Sequence, residues 1–572
     1  MDAGRRGALR RPILAGDEAS GSEARVHEAA GHCSDKALKV ILCLQFLEVS
    51  AFYGVYLSLI VYLQDVLHGD SASNVAAVSS WAGVSYLMPL LGAAVADSYW
   101  GKYKTVLIGV SVSVVGMAMV TTSATLPSLR PPPCVASAYC TPATFSQELV
   151  FFSGIYLCGV GIGASKAVFI SFAAEQLDDD DDGDGKNASG REAKASYFSW
   201  YYAVANVAML TAGTLLVWVE DKVSWGLGYG ICASFVAVAV VGLAATAPMY
   251  RLVPPAGSPL KGVLQVLVAL FRKVNLTVPD DATELYEEED GVKNPLPHPL
   301  HERLHHADQF RCLDKAAVVT DEDLEDGNLS RPWGLCTVTQ VEELKTLLRL
   351  IPIWLTSAVY FVANTQAQTT FVQQGTKTDS HIAGGAASVP AASLTSIETV
   401  LVVACVTLYN RAVAPSVAFT PLQLMGLGHA TAAVAVAVAA CTEARRLRMA
   451  GDQEAAQMGI AWLLPQYIVM AVSDASLSVG QLQFFYDQSP ETMRGASTAF
   501  YFLSISLGNL INSQLVTLVA SVTSAGGRTG WFPPELDNGH LDYYFLLLVV
   551  ITLLNFTVFV ALAKNYTPKR VK

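Results

Sequence analysis

The sequence contains few charged residues for its length. Asp, Glu, Lys and Arg make up only 15% of its 572 residues, whereas 52% are hydrophobic, and the mean hydropathy is +0.38. A water-soluble protein of this size needs more charge on its surface. The composition therefore argues against a soluble globular enzyme.

Other features that are scarce exclude further classes. The 10 Cys are scattered, which excludes a disulfide-rich scaffold, and the 43 Gly form no repeating triplet of the collagen kind. The net charge is -12, so we expect no nucleic-acid partner. The short alternating strands of an outer-membrane barrel are also missing.

Long apolar stretches are what the sequence does contain. A helix needs about 20 apolar residues to cross a bilayer core. Twelve such stretches, numbered here as predicted helices 1 to 12, are bounded by charge, Pro or Gly: 37–67, 74–97, 105–126, 149–177, 197–219, 225–249, 344–371, 390–409, 416–441, 461–486, 496–522 and 543–563. They predict an all-α membrane protein with twelve transmembrane helices.

A polar break after the sixth stretch divides the chain into two halves. We expect a cytoplasmic tail at 1–36, a six-helix bundle at 37–249, a cytoplasmic linker at 250–343, a second six-helix bundle at 344–564 and a cytoplasmic tail at 565–572. The first tail is basic and has no apolar core of signal-peptide length, so we expect it to be uncleaved.

The positive-inside tendency supports this orientation with one exception. Lys102 and Lys104 follow predicted helix 2 on the cytoplasmic side. Arg445, Arg446 and Arg448 follow predicted helix 9 on the opposite side and disagree with the tendency.

The loop between predicted helices 2 and 3 carries a recognisable spacing. It reads Gly92-Ala-Ala-Val-Ala-Asp97-Ser-Tyr-Trp-Gly101-Lys102, in which Gly permits a tight turn and Lys102 can latch against Asp97. An ordinary basic loop is the simpler interpretation. The spacing resembles the loop signature of the major facilitator superfamily, which implies a gating role for Asp97, Gly101 and Lys102.

Several further motifs narrow the resemblance. The segments 310–317 (FRCLDKAA), 335–343 (LCTVTQVEE), 351–354 (IPIW), 371–375 (FVQQG), 480–490 (GQLQFFYDQSP) and 539–543 (GHLDY) are similar to the plant branch of the nitrate/peptide transporter family. This is the proton-dependent oligopeptide transporter group of the major facilitator superfamily. The resemblance implies two six-helix bundles, a central cavity and alternating access.

Lys166 lies near the middle of predicted helix 4. A Lys inside hydrocarbon is costly unless it is paired, faces water or loses its proton, so it is a functional candidate, although a structural or snorkelling charge is the plain alternative. In the family that the chain resembles, a Lys here pairs with acids of helix 1 and takes part in proton coupling. We therefore expect Glu48 and Lys166 to form the coupling pair.

Predicted helix 1 departs from the family pattern. The family has Glu-x-x-Glu-Arg, whereas this sequence has Gln45, Glu48 and Val49 at those positions. One Glu with one Lys keeps the charge neutral, which favours a stable pair. However, the second titratable acid is missing, and so is an Arg that could hold a carboxylate in a bidentate manner, which argues against a dipeptide substrate.

The resemblance also implies residues of a solute cavity. Asp474 in predicted helix 10 stands where the family usually has Glu, and Gln366 in predicted helix 7 stands where nitrate carriers have His, so nitrate specificity does not carry over. The other cavity candidates, for which packing is an equal alternative, are Gln45, Phe52, Tyr53, Trp81, Tyr86, Asn206 and Trp354.

Two weaker features complete the set. Cys134 and Cys140 flank the outward loop between predicted helices 3 and 4, where a disulfide and two free thiols are both possible. Four His residues cluster in the linker, but a Pro-rich segment seldom supplies ordered ligand geometry, so we expect no metal site and no cofactor.

Three functional hypotheses remain open from the sequence. The first is proton-coupled symport of a small anion or organic solute, of the nitrate or plant-hormone class, through a multi-pass protein of the plasma or vacuolar membrane. The second is uncoupled facilitation or export, and the third is a membrane sensor without transport. The expected partners are the lipid bilayer, a small solute and protons, and we find no enzyme motif in a plausible setting.

Overall fold

The computed structural model describes residues 16–134, 140–177, 187–255, 259–279, 285–286, 309–320, 333–382, 387–413, 419–451, 457–489, 496–533 and 535–566. In these residues, 12 helices are long and apolar enough to cross a membrane. We number them helix 1 to helix 12: Lys36–Asp65, Ser71–Trp100, Lys102–Thr125, Phe145–Glu175, Tyr197–Lys222, Trp225–Ala245, Val338–Thr376, Ala391–Ala412, Pro421–Ala450, Ile460–Gln488, Thr498–Thr523 and Leu541–Asn565. The predicted all-α membrane fold is confirmed.

Several helices extend beyond the apolar stretches. Helix 1 continues an α-helix that begins at Gly16, inside the predicted tail. The helical segments leading into helices 5 and 11 begin at Asn187 and Ala496. Helix 7 begins at Val338, within the predicted linker, because Thr337 and Gln340 form a reciprocal capping box there. Apolar composition thus locates the membrane part of a helix, whereas polar caps set its ends.

Some helices contain irregular turns. Helix 2 ends in a π-helical turn, Ala96–Trp100, and Gly101 then has a φ of 75°, a conformation that favours glycine. Helix 7 changes to a 3-10 turn at Thr365–Gln368 before its last segment, Thr370–Thr376. A short antiparallel hairpin of β1 (His381–Ile382) and β2 (Ala387–Ser388), with His381 opposite Ser388, precedes helix 8.

Helix 4 packs closely against helices 2 and 3. At Gly159 a Cβ atom would contact Ser85 Oγ and lie 2.8 Å from Trp81 Nε1. Any larger residue would push helix 4 away from helix 2. This close approach brings Lys166, further along helix 4, to the aromatic residues of helices 1 and 2.

Part of the linker packs on the start of helix 7. An amphipathic helix, Pro259–Arg272, and a 3-10 turn, Arg311–Ala317, share an apolar cluster with the residues around Val341. Beside it, the fully buried Lys345 Nζ lies 2.7 Å from Asp314 Oδ1 and 2.8 Å from Glu342 Oε1. We call this end of the molecule the linker side and the opposite end the far side.

Helices 1–6 and helices 7–12 are hydrogen-bonded to each other in the far-side half. Gln64 Nε2 donates to Thr376 Oγ1 at 3.3 Å, and Ser71 Oγ donates to Gln373 Oε1 at 3.1 Å. Helices 2 and 11 add bonds from Asn512 to Ser79, from Ser513 to the Ala76 carbonyl and from Ser506 to the Gly83 carbonyl. A cavity of about 180 Å³ lies beside this contact and is lined by residues such as Asp65, Asp221 and Lys222.

Candidate functional site

Lys166 occupies a cage of aromatic rings. Its Nζ atom lies 4.7 Å from the ring centre of Phe52, 4.9 Å from that of Tyr86 and 5.3 Å from that of Tyr53. Phe502 of helix 11 adds a fourth ring at 5.9 Å. Cation–π contacts of this kind hold a positive charge without neutralising it. The cage therefore keeps an ammonium group available to an anion.

Glu48 lies close to this cage but bonds elsewhere. Its carboxylate accepts a hydrogen bond from Ser165, the residue before Lys166, and it is 3% exposed. The charges of Glu48 and Lys166 interact, but in the part of the chain that the structure describes the two groups form no ion pair within 4.0 Å. In this structure the Glu48 carboxylate is hydrogen-bonded to Ser165, whereas the Lys166 ammonium lies among the aromatic rings.

Gln45 packs against helix 5. Its Nε2 atom donates to the Tyr201 carbonyl at 3.3 Å, while its buried Oε1 atom has no hydrogen-bond partner in the structure. The Gln45 amide therefore makes one donor bond, while its oxygen stays without a partner.

The predicted aromatic candidates separate into two groups. Phe52, Tyr53 and Tyr86 form the cage itself, and the Tyr53 and Tyr86 hydroxyls are 3.4 Å apart. Trp81 is fully buried behind them, stacks on Phe52 and donates to the Ile155 carbonyl at 2.7 Å. Trp81 supports the cage from behind.

Two more predicted residues are engaged in bonds between or within helices. Trp354 Nε1 donates to the Phe500 carbonyl of helix 11 at 3.0 Å, and Asn206 donates to the Tyr202 carbonyl one turn earlier at 2.8 Å. The Trp354 side chain thereby joins helix 7 to helix 11.

Gln366 differs from the expectation that it lines a cavity. It is fully buried, donates to Asn512 Oδ1 at 2.8 Å and accepts from Thr370 Oγ1 at 2.7 Å. Tyr544 of helix 12 donates to the same Asn512 oxygen at 2.9 Å. Gln366 thus belongs to a polar network that joins helices 7, 11 and 12, and its amide is already occupied.

Asp474 of helix 10 has a partly exposed side chain. Its Oδ1 atom accepts from Ser478 Oγ at 3.1 Å, and the same hydroxyl lies 3.2 Å from Tyr501 OH. Glu398 of helix 8 is near enough for its charge to interact with that of Asp474. The second half therefore contributes acidic groups to the region.

The sequence reasoning missed Glu398. It lies inside the apolar stretch of helix 8 and is 5% exposed. The signal that singled out Asp474, an acid within an apolar helix, was present at Glu398 too.

The loop after helix 2 forms a different ion pair from the expected one. Lys102 Nζ lies 2.7 Å from Glu175 Oε1, at the end of helix 4, and makes no described ion pair with Asp97. The latch therefore joins helices 3 and 4. Asp97 remains close enough for its charge to interact with both groups.

On the far side, Cys134 and Cys140 form a disulfide, with Sγ atoms 1.93 Å apart. His68 Nδ1 lies 3.4 Å from Cys134 Sγ, and the three residues could converge on a metal ion only with the disulfide reduced. The linker His cluster lies outside the described residues.

Comparison with known proteins identifies the family. Residues 103–532 match the family PTR2, described as the POT family. Two Arabidopsis thaliana proteins, NRT1/PTR FAMILY 8.5 and 8.3, are 40% and 39% identical to 94% of this chain, over 90% and 92% of their own lengths. The chain belongs to the POT family.

Solved structures of POT family transporters share the fold of this member. An auto-inhibited POT family peptide transporter has a TM-score of 0.69 at 19% identity, and PepTSo has 0.68 at 18%. Each match covers 93% of this chain and 98% of the other. The solved structures show the major facilitator fold, and membership of the POT family makes this chain a membrane-embedded, proton-coupled secondary transporter.

Proposed function

We propose that the chain carries a small organic solute with a carboxylate group, and that Lys166 binds that carboxylate. The supporting observation is the aromatic cage, in which the Lys166 ammonium lies over four rings and has no described ion pair within 4.0 Å. A charge at membrane depth is costly until an anion neutralises it. A solute carboxylate supplies that anion.

Glu48 couples this binding step to protons in the proposal. Its ionised carboxylate interacts with the Lys166 charge and so competes with a solute anion. Protonation of Glu48 removes the competition and strengthens solute binding, whereas loss of the proton on the other side of the membrane favours release.

Asp474 supplies the proposed site with a second charged group, of opposite sign to Lys166. A solute that bears an amino group can place it near this carboxylate while its own carboxylate lies at Lys166, which belongs to the other half. Such a solute would draw the two halves together and favour closure of the linker side. Val49 stands where an Arg could hold the carboxylate of a dipeptide in a bidentate manner, so the proposed solute is an amino acid-sized organic acid.

The linker side and the far side indicate how the protein is oriented in the membrane. We propose that the linker side is cytoplasmic, with the tails and the linker there, and that the disulfide faces an oxidising compartment. Arg446 does not contradict this orientation, because it pairs with Glu443 at 2.8 Å and Asp537 at 2.5 Å. No catalytic step is part of the proposal.

Uptake into proteoliposomes tests the proposal. A solved POT family transporter was crystallised with 5-aminolevulinic acid, a solute with one carboxylate and one amino group, so the labelled compound is a suitable probe beside labelled nitrate. We expect an inward proton gradient to drive uptake of 5-aminolevulinic acid in the wild type and in the exposed-site control Lys564→Gln. The Lys166→Gln variant should lose about tenfold or more of this uptake.

Two outcomes would contradict the proposal. One is proton-driven nitrate uptake without uptake of the organic acid. The other is an unchanged rate in a folded Lys166→Gln variant.

A further inference from the structure

Glu398 is a buried carboxyl group with no described partner. It lies within helix 8, is 5% exposed, and makes no hydrogen bond or ion pair within the residues that the structure describes. An ionised carboxylate in such a place is costly unless a cation or a proton compensates it. A structural role would normally provide hydrogen-bond donors, which this side chain does not have.

The groups around Glu398 are acidic or phenolic. Asp474 and Tyr467 of helix 10, Tyr360 of helix 7 and Tyr56 of helix 1 are near enough for charge interactions with it. Helix 5, which also packs on helix 8, brings Tyr202 near Asp474. None of these side chains carries a positive charge.

The ionised groups of the whole region do not balance. Lys166 offers one positive charge against the three carboxylates of Glu48, Asp474 and Glu398, which leaves an excess of two negative charges. The formal charges of Glu48 in helix 1 and Lys166 in helix 4 sum to zero, so the excess belongs to helices 8 and 10. Protons are the cations that the established coupling supplies.

We propose that Glu398, together with Asp474, is a second proton-carrying site, located in the second half of the molecule. It takes the place of the acid that helix 1 lacks at Gln45. The step is a simple transfer: an O–H bond forms when water on one side delivers a proton to the carboxylate, and it breaks when the other side opens and water accepts the proton.

The position of Tyr56 connects this site to the conformational cycle. Tyr56 belongs to the first half, where its ring lies 6.3 Å from that of the cage residue Tyr53, whereas Glu398 belongs to the second half. A movement of one half against the other changes the separation of Tyr56 and Glu398 and hence the access of water to Glu398. The inference rests on the proposed function only in its use of 5-aminolevulinic acid as a probe.

Infrared spectroscopy of the purified protein in lipid nanodiscs tests the site without any solute. We expect a protonated-carboxyl absorption that disappears in Glu398→Gln, responds to pH in the wild type, and changes its pH response in Asp474→Asn. Glu220 is the matched control, because it is a buried acid on helix 5, is 1% exposed, and lies near Ser58 and Cys232. Its absorption, identified with Glu220→Gln, should be insensitive to Asp474→Asn.

A Glu398 absorption that is insensitive to both pH and Asp474→Asn would overturn the inference. In liposomes, Glu398→Gln should lower proton-driven uptake of 5-aminolevulinic acid about tenfold, and Glu398→Asp should retain most of it. Normal uptake by Glu398→Gln would also overturn it. If the wild type does not carry this solute, the proposed function fails while the infrared result still decides the role of Glu398.

Discussion

At the scale of single residues, the contacts of a side chain decide between a binding role and a structural role. Lys166 and Gln366 both interrupt apolar helices, and the family resemblance places both near the cavity. Among the described residues, the Lys166 ammonium contacts aromatic faces, whereas Gln366 makes three hydrogen bonds. A ligand can use the first group but would have to break the bonds of the second.

Replacement of Gln366 tests this distinction. Gln366→Leu should destabilise the protein by about 1–3 kcal/mol, because Thr370 and Asn512 lose a buried partner. The thermal unfolding midpoint in detergent should therefore fall, whereas Gln483→Leu, at an exposed position of helix 10, should leave it nearly unchanged. Equal midpoints for the two variants would show that the network does not stabilise the fold.

Arg446 shows how tertiary contacts explain one part of an apparent exception. The sequence placed its positive charge on the wrong side for the positive-inside tendency. In the structure Arg446 is 2% exposed, and two of its nitrogens bond the Glu443 carboxylate at 2.8 and 2.9 Å. A paired, buried Arg contributes little to the charge that governs orientation.

At the scale of elements, the linker is partly a packed structure. The sequence predicted a polar cytoplasmic linker at 250–343. In the described residues, the segment Arg311–Ala317 instead docks on helix 7 through the Lys345 ion pairs and an apolar cluster. The residues that dock the linker on helix 7 thus lie in short motifs of an otherwise polar segment.

Thiol labelling measures this docking. Cys336 lies at the interface, 1% exposed, and burial raises its pKa to about 11, whereas Cys312 is exposed. At pH 8.5 a docked Cys336 stays protonated and unreactive, and its thiolate forms only as the pH rises towards 11. Maleimide should therefore label Cys312 but not Cys336 in a variant whose other thiols are replaced.

Lys345→Met should expose Cys336 to the reagent, because Asp314 and Glu342 lose the cation that compensates their buried charges, at a cost of about 3–5 kcal/mol. An undocked thiol has a pKa of about 8.5 and reacts readily. Lys315→Met is the control, since Lys315 lies on the same turn as Asp314 but donates to the Val274 carbonyl and forms no ion pair among the described residues. Protection of Cys336 in both variants would contradict a docking role for Lys345.

At the scale of the whole molecule, the far-side contacts between the two halves define the state of the transporter. Gln64 of helix 1 and Thr376 of helix 7 are among the residues that hold this side together. Alternating access requires these contacts to break once in every cycle. The structure therefore describes one conformation of the transport cycle, in which the far side is closed.

A covalent lock tests this assignment. Gln64→Cys with Thr376→Cys, joined by a short bis-thiol reagent in a background without Cys134 and Cys140, should stop uptake of 5-aminolevulinic acid. Binding of the solute from the linker side should persist, because the lock joins residues on the far side and leaves the linker side unlinked. Each single variant treated with the same reagent is the control. If the crosslinked double variant took up the solute at the rate of these controls, the contacts would not need to open during transport.

The sequence by itself determined the class of this protein. Twelve apolar stretches specify a membrane fold because a bilayer accepts only segments of that length and composition, and the linear motifs specify the family because they persist as contiguous residues. Lys166, Glu48 and Asp474 could be found from the sequence, because a charged residue within an apolar segment can be recognised without knowing which residues pack beside it.

The tertiary structure decided which of these residues meet. The hydrogen bond from Ser165 to Glu48, the aromatic cage from three helices and the charge interaction of Glu398 with Asp474 join residues far apart in the chain. Gln366 and Trp81 could not be separated from cavity residues beforehand, because the direction of a side chain in a bundle depends on how neighbouring helices pack. The distance between neighbouring helices, which small residues such as Gly159 set, is the physical quantity that cannot be derived from the linear sequence.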